Sequence, residues 1–176
     1  MNQSFLIALR KLKEQHPALF PVIMAQWCYE SNYGESPLAY NANNFSGLKY
    51  RDLSPYLPRD VWERVGQHPH TDRKGEHDPY IKCYLPSDFV DVYFAFLRRE
   101  PYKRVYWSGD YPYTVTPSAL LAMKRPATFL AWIAECGFCA WIPRFTGTGS
   151  EMYTEYVFRV LKVQKSPKYK EILSRL

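Results

Sequence analysis

Apolar residues recur at helical spacing from the start of the chain. Leu6, Leu9 and Leu12 predict a first short helix. A second helix is expected to begin between Pro17 and Pro21, because proline is tolerated in a first helical turn. Phe20, Ile23 and Trp27 then continue an apolar stripe whose next step is a carboxylate, Glu30. Gly34 reads as the stop. Ser36-Pro37 reads as an N-cap followed by proline at the first helical position, opening a short helix through Leu38-Ala39-Tyr40. Over residues 50–85 the apolar periodicity is lost and Pro, His, Gly and charged residues dominate. Within that stretch "TDRKGEHDPYIKCYL" predicts a two-stranded ribbon turning near Lys74-Gly75, with "YIKCYL" as the return strand. Helical patterning resumes at Ser87 ("SDFVDVYFAFLRRE"), at Pro126 ("PATFLAWIAEC", ended by Gly137) and at Ser150 ("SEMYTEYVFRVLKV"). No internal repeat or linker breaks the chain. The expected class is α+β, mostly helical: one domain over residues 1–176, with a small β-containing insert at about 50–85.

Composition adds limits. A chain of 176 residues with 47% hydrophobic and 17% aromatic content can bury a proper core. Fifteen tyrosines and five tryptophans suit sugar faces, base stacking or a protein interface as well as packing. The net charge of +6 favours a polyanionic partner, such as nucleic acid, anionic lipid or the anionic polymers of a bacterial wall. The basic residues are scattered (Lys11, Lys13, Arg73, Lys74, Arg98, Arg99, Lys103, Arg104), whereas a dedicated nucleic-acid module clusters them. The segment "FLIALRKLKEQ" is amphipathic, is broken by Arg10 and lacks a small-residue cleavage site, so no signal peptide is read there. No run is long enough to span a membrane.

Four cysteines (Cys28, Cys83, Cys136, Cys139) are too few and too irregular for a disulfide framework. "CGFC" could suggest zinc or redox chemistry. A zinc site, however, needs a second ligand pair at matching spacing, and neither Cys28 nor Cys83 belongs to one. His68, His70 and His77 cluster only loosely in a polar loop. Buried free thiols are the simpler reading, and neither a metal nor a cofactor is expected.

The stretch "CYESNYGESPLAYNANNFSGLKYR" carries the chemistry. Glu30 falls in the last turn of its helix, where the partial negative charge of the helix end disfavours an ionised carboxylate. Trp27 lies one turn back on the same face, and Tyr29 and Tyr33 flank the position; partial desolvation disfavours the charge again. Both effects raise the pKa, as a general acid that holds its proton near neutral pH requires. The plain alternative is an exposed helix-end glutamate.

Ala25-Gln26, Glu30-Ser31, Gly34, Ser36 and then Asn43-Asn44-Phe45-Ser46-Gly47-Leu48-Lys49 together resemble the signature of the bacterial endo-β-N-acetylglucosaminidases of glycoside hydrolase family 73, the flagellar and autolysin type. Downstream, "YIKCY" resembles that family's Phe-Arg-x-Tyr strand, with Ile81 and Lys82 in place of Phe and Arg. "DVYFAFLRREPY" is similar to the helix that follows. "CGF" with "EMYTEYVFRVL" resembles the closing Gly-Tyr…Tyr segment, with Phe138 in place of tyrosine and an insertion before Tyr153. The match is strong over residues 25–49 and loose over most of the rest.

The resemblance implies a lysozyme-like fold, a helical lobe and a small β-containing lobe around a glycan cleft. It implies peptidoglycan glycan strands as substrate, cut at the β-1,4 bond after N-acetylglucosamine, with action at the bacterial cell wall by a monomer that needs neither nucleic acid nor a membrane span. Glu30 matches the catalytic acid. A second carboxylate would come from the β-lobe, with Glu76 first and Asp72 or Asp78 behind it. A single acid suffices if the substrate's acetamido group is the nucleophile; otherwise a second carboxylate must activate water. Tyr33, Asn44, Tyr106, Trp107 and Tyr153 are the candidate substrate-binding residues, while Phe45, Gly47 and Leu48 are expected to shape the cleft wall. Two other readings stand beside this one: a glycan-binding domain without turnover, and a basic nucleic-acid-binding or virion structural protein.

Overall fold

The computed structural model describes residues 2–71, 77–99, 129–130 and 149–176, with residues 149–155 as backbone only. Those residues form an α+β arrangement dominated by helices, with one small sheet. Helix α1 (Gln3–Gln15) is capped by Asn2, whose side chain accepts from the amides of Ser4 and Phe5. Helix α2 (Phe20–Glu30) carries Pro21 in its first turn. It is almost wholly apolar, from Phe20 to Cys28, and buried along nearly its full length. Helix α3 (Pro37–Ala42) has the anticipated cap, the Ser36 hydroxyl accepting from Ala39 N at 3.2 Å.

A short helix α4 (Arg59–Trp62) follows a 3-10 turn at Ser54–Tyr56. Both fall where proline-rich sequence suppresses any apolar period. The strands β1 (Val65–Pro69) and β2 (Pro79–Cys83) pair antiparallel, Val65 opposite Cys83 and Pro69 opposite Pro79. The return strand is therefore where it was expected, but its partner is Val65–Pro69, upstream of the stretch 71–85 expected to hold both strands; the expected turn at Lys74-Gly75 lies outside the described residues. Helices α5 (Asp88–Leu97), α6 (Gly149–Val163) and α7 (Pro167–Leu173) complete the described set. The helix expected from Pro126 and the "CGFC" cysteines also lie outside it, apart from helical Phe129 and Leu130, both fully buried.

The core is aromatic and centres on α2. Trp27, at 0% exposure, meets Phe45, Phe89 and Tyr93 at ring-centroid distances of 6.1, 5.0 and 5.4 Å. Phe5 joins from α1 by packing on Phe45 at 5.1 Å. The edge-on contacts of Trp27 with Phe89 and Tyr93 suit the ring quadrupoles and add to the burial term. Phe45 is thus a packing residue, and with Leu48 it ties the loop after α3 to the helices. The ribbon is fastened to α5 by Arg64, which grips the nearly buried Asp88 through both carboxylate oxygens at 2.8 and 3.1 Å. A bidentate guanidinium–carboxylate pair fixes orientation as well as distance.

Candidate active site

Helix α2 ends at Glu30, four residues before Gly34. The chain then reverses through three consecutive residues with positive φ: Asn32 at +50°, Tyr33 at +61° and Gly34 at +77°. Left-handed backbone is costly for a tyrosine, so the surrounding contacts must hold it. Ser31 does much of this: its hydroxyl donates to Trp27 O at 2.6 Å and accepts from Gly34 N at 2.7 Å. Asn2 adds a bond from its Nδ2 to Gly34 O at 2.8 Å. Gly34 also lies so close to Phe5 that an added Cβ would stand 2.6 Å from the ring. Glycine is required there by conformation and by space together. The turn leaves Glu30 as the last helical residue, at the edge of the core.

Glu30 is part-buried, and its Oε1 accepts a 2.8 Å hydrogen bond from the hydroxyl of Tyr156 on α6. Burial pushes its pKa from 4.5 up to about 7, against the opposing pull of the Tyr156 hydrogen bond. The anticipated direction is therefore found, with desolvation as its main cause. Tyr156 is fully buried, and burial followed by the neighbouring Glu30 charge raises its own pKa well above the usual value, so it remains a neutral donor. Tyr29 meets the Tyr156 ring edge-on at 6.1 Å. Behind Tyr156 stands Gln26, one turn before Glu30 on α2, whose Nε2 donates to the Tyr156 hydroxyl at 2.9 Å. Gln26 in turn accepts at Oε1 from Tyr93 of α5 at 2.5 Å. Gln26, Tyr93 and Tyr156 are all at 0% exposure. Three helices thus contribute to one hydrogen-bonded line that ends on the carboxylate.

The other anticipated residues are placed differently. Tyr33 donates its hydroxyl to Ser166 at 3.0 Å, and its ring lies under the Lys168 ammonium at 5.1 Å. It therefore secures the start of α7, whose Lys168 also pairs with Glu35 at 2.5 Å. Asn44 is 1% exposed, and its amide is fully engaged: Nδ2 donates to Leu48 O and Ile81 O, and Oδ1 accepts from Leu48 N. Both amide protons therefore hold the loop against β2. Asp78 pairs with Lys49 at 2.7 Å on the ribbon. Glu76, Asp72, Tyr106 and Trp107 lie outside the described residues. Tyr153 lies on α6 one turn before Tyr156, and its side chain lies outside them as well.

Gln26 entered the sequence reading only as part of the signature that begins Ala25-Gln26, with no role given to it, and Tyr93 and Tyr156 were given none either. Gln26 offers a signal in retrospect, as a lone amide inside "FPVIMAQWC". The two tyrosines read as ordinary members of apolar helical stripes. Among the described residues no group of His, Cys, Asp and Glu could hold a metal ion. Cys28 and Cys83 are free and buried; burial pushes the Cys28 thiol up to about 12 and raises that of Cys83 further, which leaves both unreactive. No helix among the described residues is long and apolar enough to cross a membrane. No family model, curated protein or solved structure matches the chain. Among the described residues the geometry defines a mostly helical α+β arrangement in which burial raises one helix-end carboxyl, Glu30, to about 7.

Proposed function

We propose that this protein is a peptidoglycan hydrolase that cleaves the β-1,4 bond after N-acetylglucosamine, with Glu30 as general acid. The observation that carries the reading is Glu30 itself: a part-buried carboxyl at a helix end, with a pKa of about 7 and a neutral hydrogen-bond donor on one oxygen. An acid with a pKa near the working pH keeps its proton until the departing sugar oxygen needs it, then holds the charge without large cost. Tyr156 favours that second state by donating to the carboxyl group, over both of whose oxygens the developing charge spreads. The sequence resemblance over residues 25–49 supplies the substrate class. On this reading the fold is lysozyme-like, the ribbon and the loop after α3 form the wall facing α2, and the protein acts at the bacterial cell wall. If the acetamido group of the substrate is the nucleophile, Glu30 is the one carboxyl the chemistry needs.

Mass spectrometry of digested, purified peptidoglycan tests this directly. Products ending in a reducing N-acetylglucosamine are expected. Products ending in reducing N-acetylmuramic acid would move the cut to the other bond, and a folded protein that leaves wall suspensions turbid would overturn the enzymatic reading.

A further inference from the structure

The line of side chains behind Glu30 has a direction, and the direction decides where the acid keeps its proton. A tyrosine hydroxyl has one proton to donate, and a primary amide has one accepting end and one donating end. Tyr93 donates to Gln26 Oε1, so the donating end of that amide faces Tyr156. The Tyr156 oxygen therefore already receives a proton from Gln26, and its own proton points to Glu30 Oε1. If Glu30 carried its proton on Oε1, two protons would converge on the Tyr156 oxygen and a third, the phenolic one, would be turned away from the line. With the line running from Tyr93 towards Glu30, Oε1 is the accepting oxygen in both charge states, and Oε2 takes no hydrogen bond from the described residues.

We propose that Tyr93 and Gln26 are positioning residues that orient the Tyr156 hydroxyl towards Glu30 Oε1 and thereby hold the transferable proton on Oε2. The inference deepens the reading of Glu30 as an acid and rests on it. In the step it describes, the Oε2–H bond breaks and a new O–H bond forms on the departing sugar oxygen. That oxygen takes the electron pair of the broken carbon–oxygen bond, and Glu30 is left as a carboxylate with Tyr156 already donating to it. Reversal of Gln26 would invert each link. Tyr156 would donate to Gln26, Glu30 would lose its donor, and a proton on Oε1 would be drawn back towards Tyr156. Among the described residues, Tyr156 from α6 is the one titratable group acting on Glu30, and Tyr156 itself feels Glu30, Gln26 and Tyr93.

Two measurements test this without relying on turnover alone. In the wild-type protein, nuclear Overhauser contacts from the Gln26 side-chain amide protons are expected to the Tyr156 ring; contacts running instead to Tyr93 would reverse the line and overturn the proposal. The second is a carbon-13 carboxyl titration of Glu30, assigned with Glu30→Gln, in wild type, Tyr93→Phe and Tyr156→Phe. Loss of the donor raises the Glu30 pKa by roughly one pH unit in Tyr156→Phe. Tyr93→Phe is expected to move it in the same direction, because the freed amide can turn. In wall lysis, Tyr93→Phe should lower the acid-side plateau of kcat several-fold, shift the alkaline limb upward and leave KM in place. A Tyr93→Phe protein with a wild-type Glu30 titration would reduce Tyr93 to a packing residue. If the titrations shift as expected while the wild-type protein shows no lysis, the relay stands and the hydrolase reading falls.

Discussion

The loop after α3 and the seam between α2 and α6 each bury a primary amide, Asn44 at 1% and Gln26 at 0% exposure. Asn44 meets only backbone: two carbonyls and one N–H, all from Leu48 and Ile81. Its hydrogen bonds close on themselves, none of its partners can change charge, and the result is a fixed loop against β2. Gln26 meets side chains at both ends, and its line opens at a part-buried carboxyl that titrates near 7. A buried amide that is fully satisfied by backbone rigidifies. One that joins side chains leading to a titratable group transmits a preference between charge states. The same residue chemistry thus closes on backbone on one side of the core and leads to a titratable carboxyl on the other.

Glu30→Gln should separate the two regions most strongly. It keeps the acceptor for Tyr156 and removes the deliverable proton, so wall lysis is expected to fall by about 10²–10⁴-fold. Stability should move the other way. Because burial raises the folded-state pKa above its ordinary value of 4.5, Glu30 contributes most below that pH, and the contribution is lost as pH rises through about 7. Wild type and variant should therefore melt alike at pH 4, while at pH 8 the variant should be more stable by roughly 1–3 kcal/mol. Equal melting at both pH values would mean that Glu30 is not desolvated, and retained lysis would make it a bystander.

Asn44→Ala tests the closed amide. It orphans two carbonyls and one N–H, and a loss of about 3 kcal/mol in chemical denaturation is expected. A change under 1 kcal/mol would show that water replaces the amide freely and that the loop is not held by it. Gly34→Ala probes the turn that sets Glu30 at the helix end. Strain at positive φ and the contact with Phe5 should together cost about 2 kcal/mol. Lysis per folded molecule should fall as well, since the carboxyl shifts with the turn. The smallest effect belongs to the ribbon. Asp78→Asn breaks an ion pair whose carboxylate is 49% exposed, so stability should change by less than about 1 kcal/mol, and less again in high salt. A larger loss there would show that this ion pair fastens the ribbon to the loop after α3.

Much of the local structure was legible in the chain. The Leu6–Leu12 stripe, the Ser36-Pro37 cap, the stop around Gly34 and the return strand "YIKCYL" depend on neighbours within a few residues, where period and capping chemistry act. Glu30 was legible for the same reason: its helix-end position and apolar company are local facts, and both favour a raised pKa. Helix α4 and the 3-10 turn were missed because four residues among prolines offer no period to read. Helix α7 was missed although Ser166-Pro167 repeats the Ser-Pro cap seen at Ser36, its side chain accepting from Tyr169 N.

What the chain alone did not yield are pairings across long separations. Gln26 reads as a polar residue in an apolar helix; only the approach of α5 and α6 gives it Tyr93 at one end and Tyr156 at the other. Asn44 and Tyr33 read from the chain as candidate ligand contacts; only the arrival of β2 and α7 shows which distant groups their polar atoms bond. Sequence determined that one carboxyl would sit at the end of α2 with its charge disfavoured, because helix geometry and nearby apolar side chains suffice for that. Tertiary structure decided which hydroxyl faces it and which way the proton in that hydroxyl points. A hydrogen bond needs its partner within about 3 Å, and no spacing along the chain specifies which distant residue will be there.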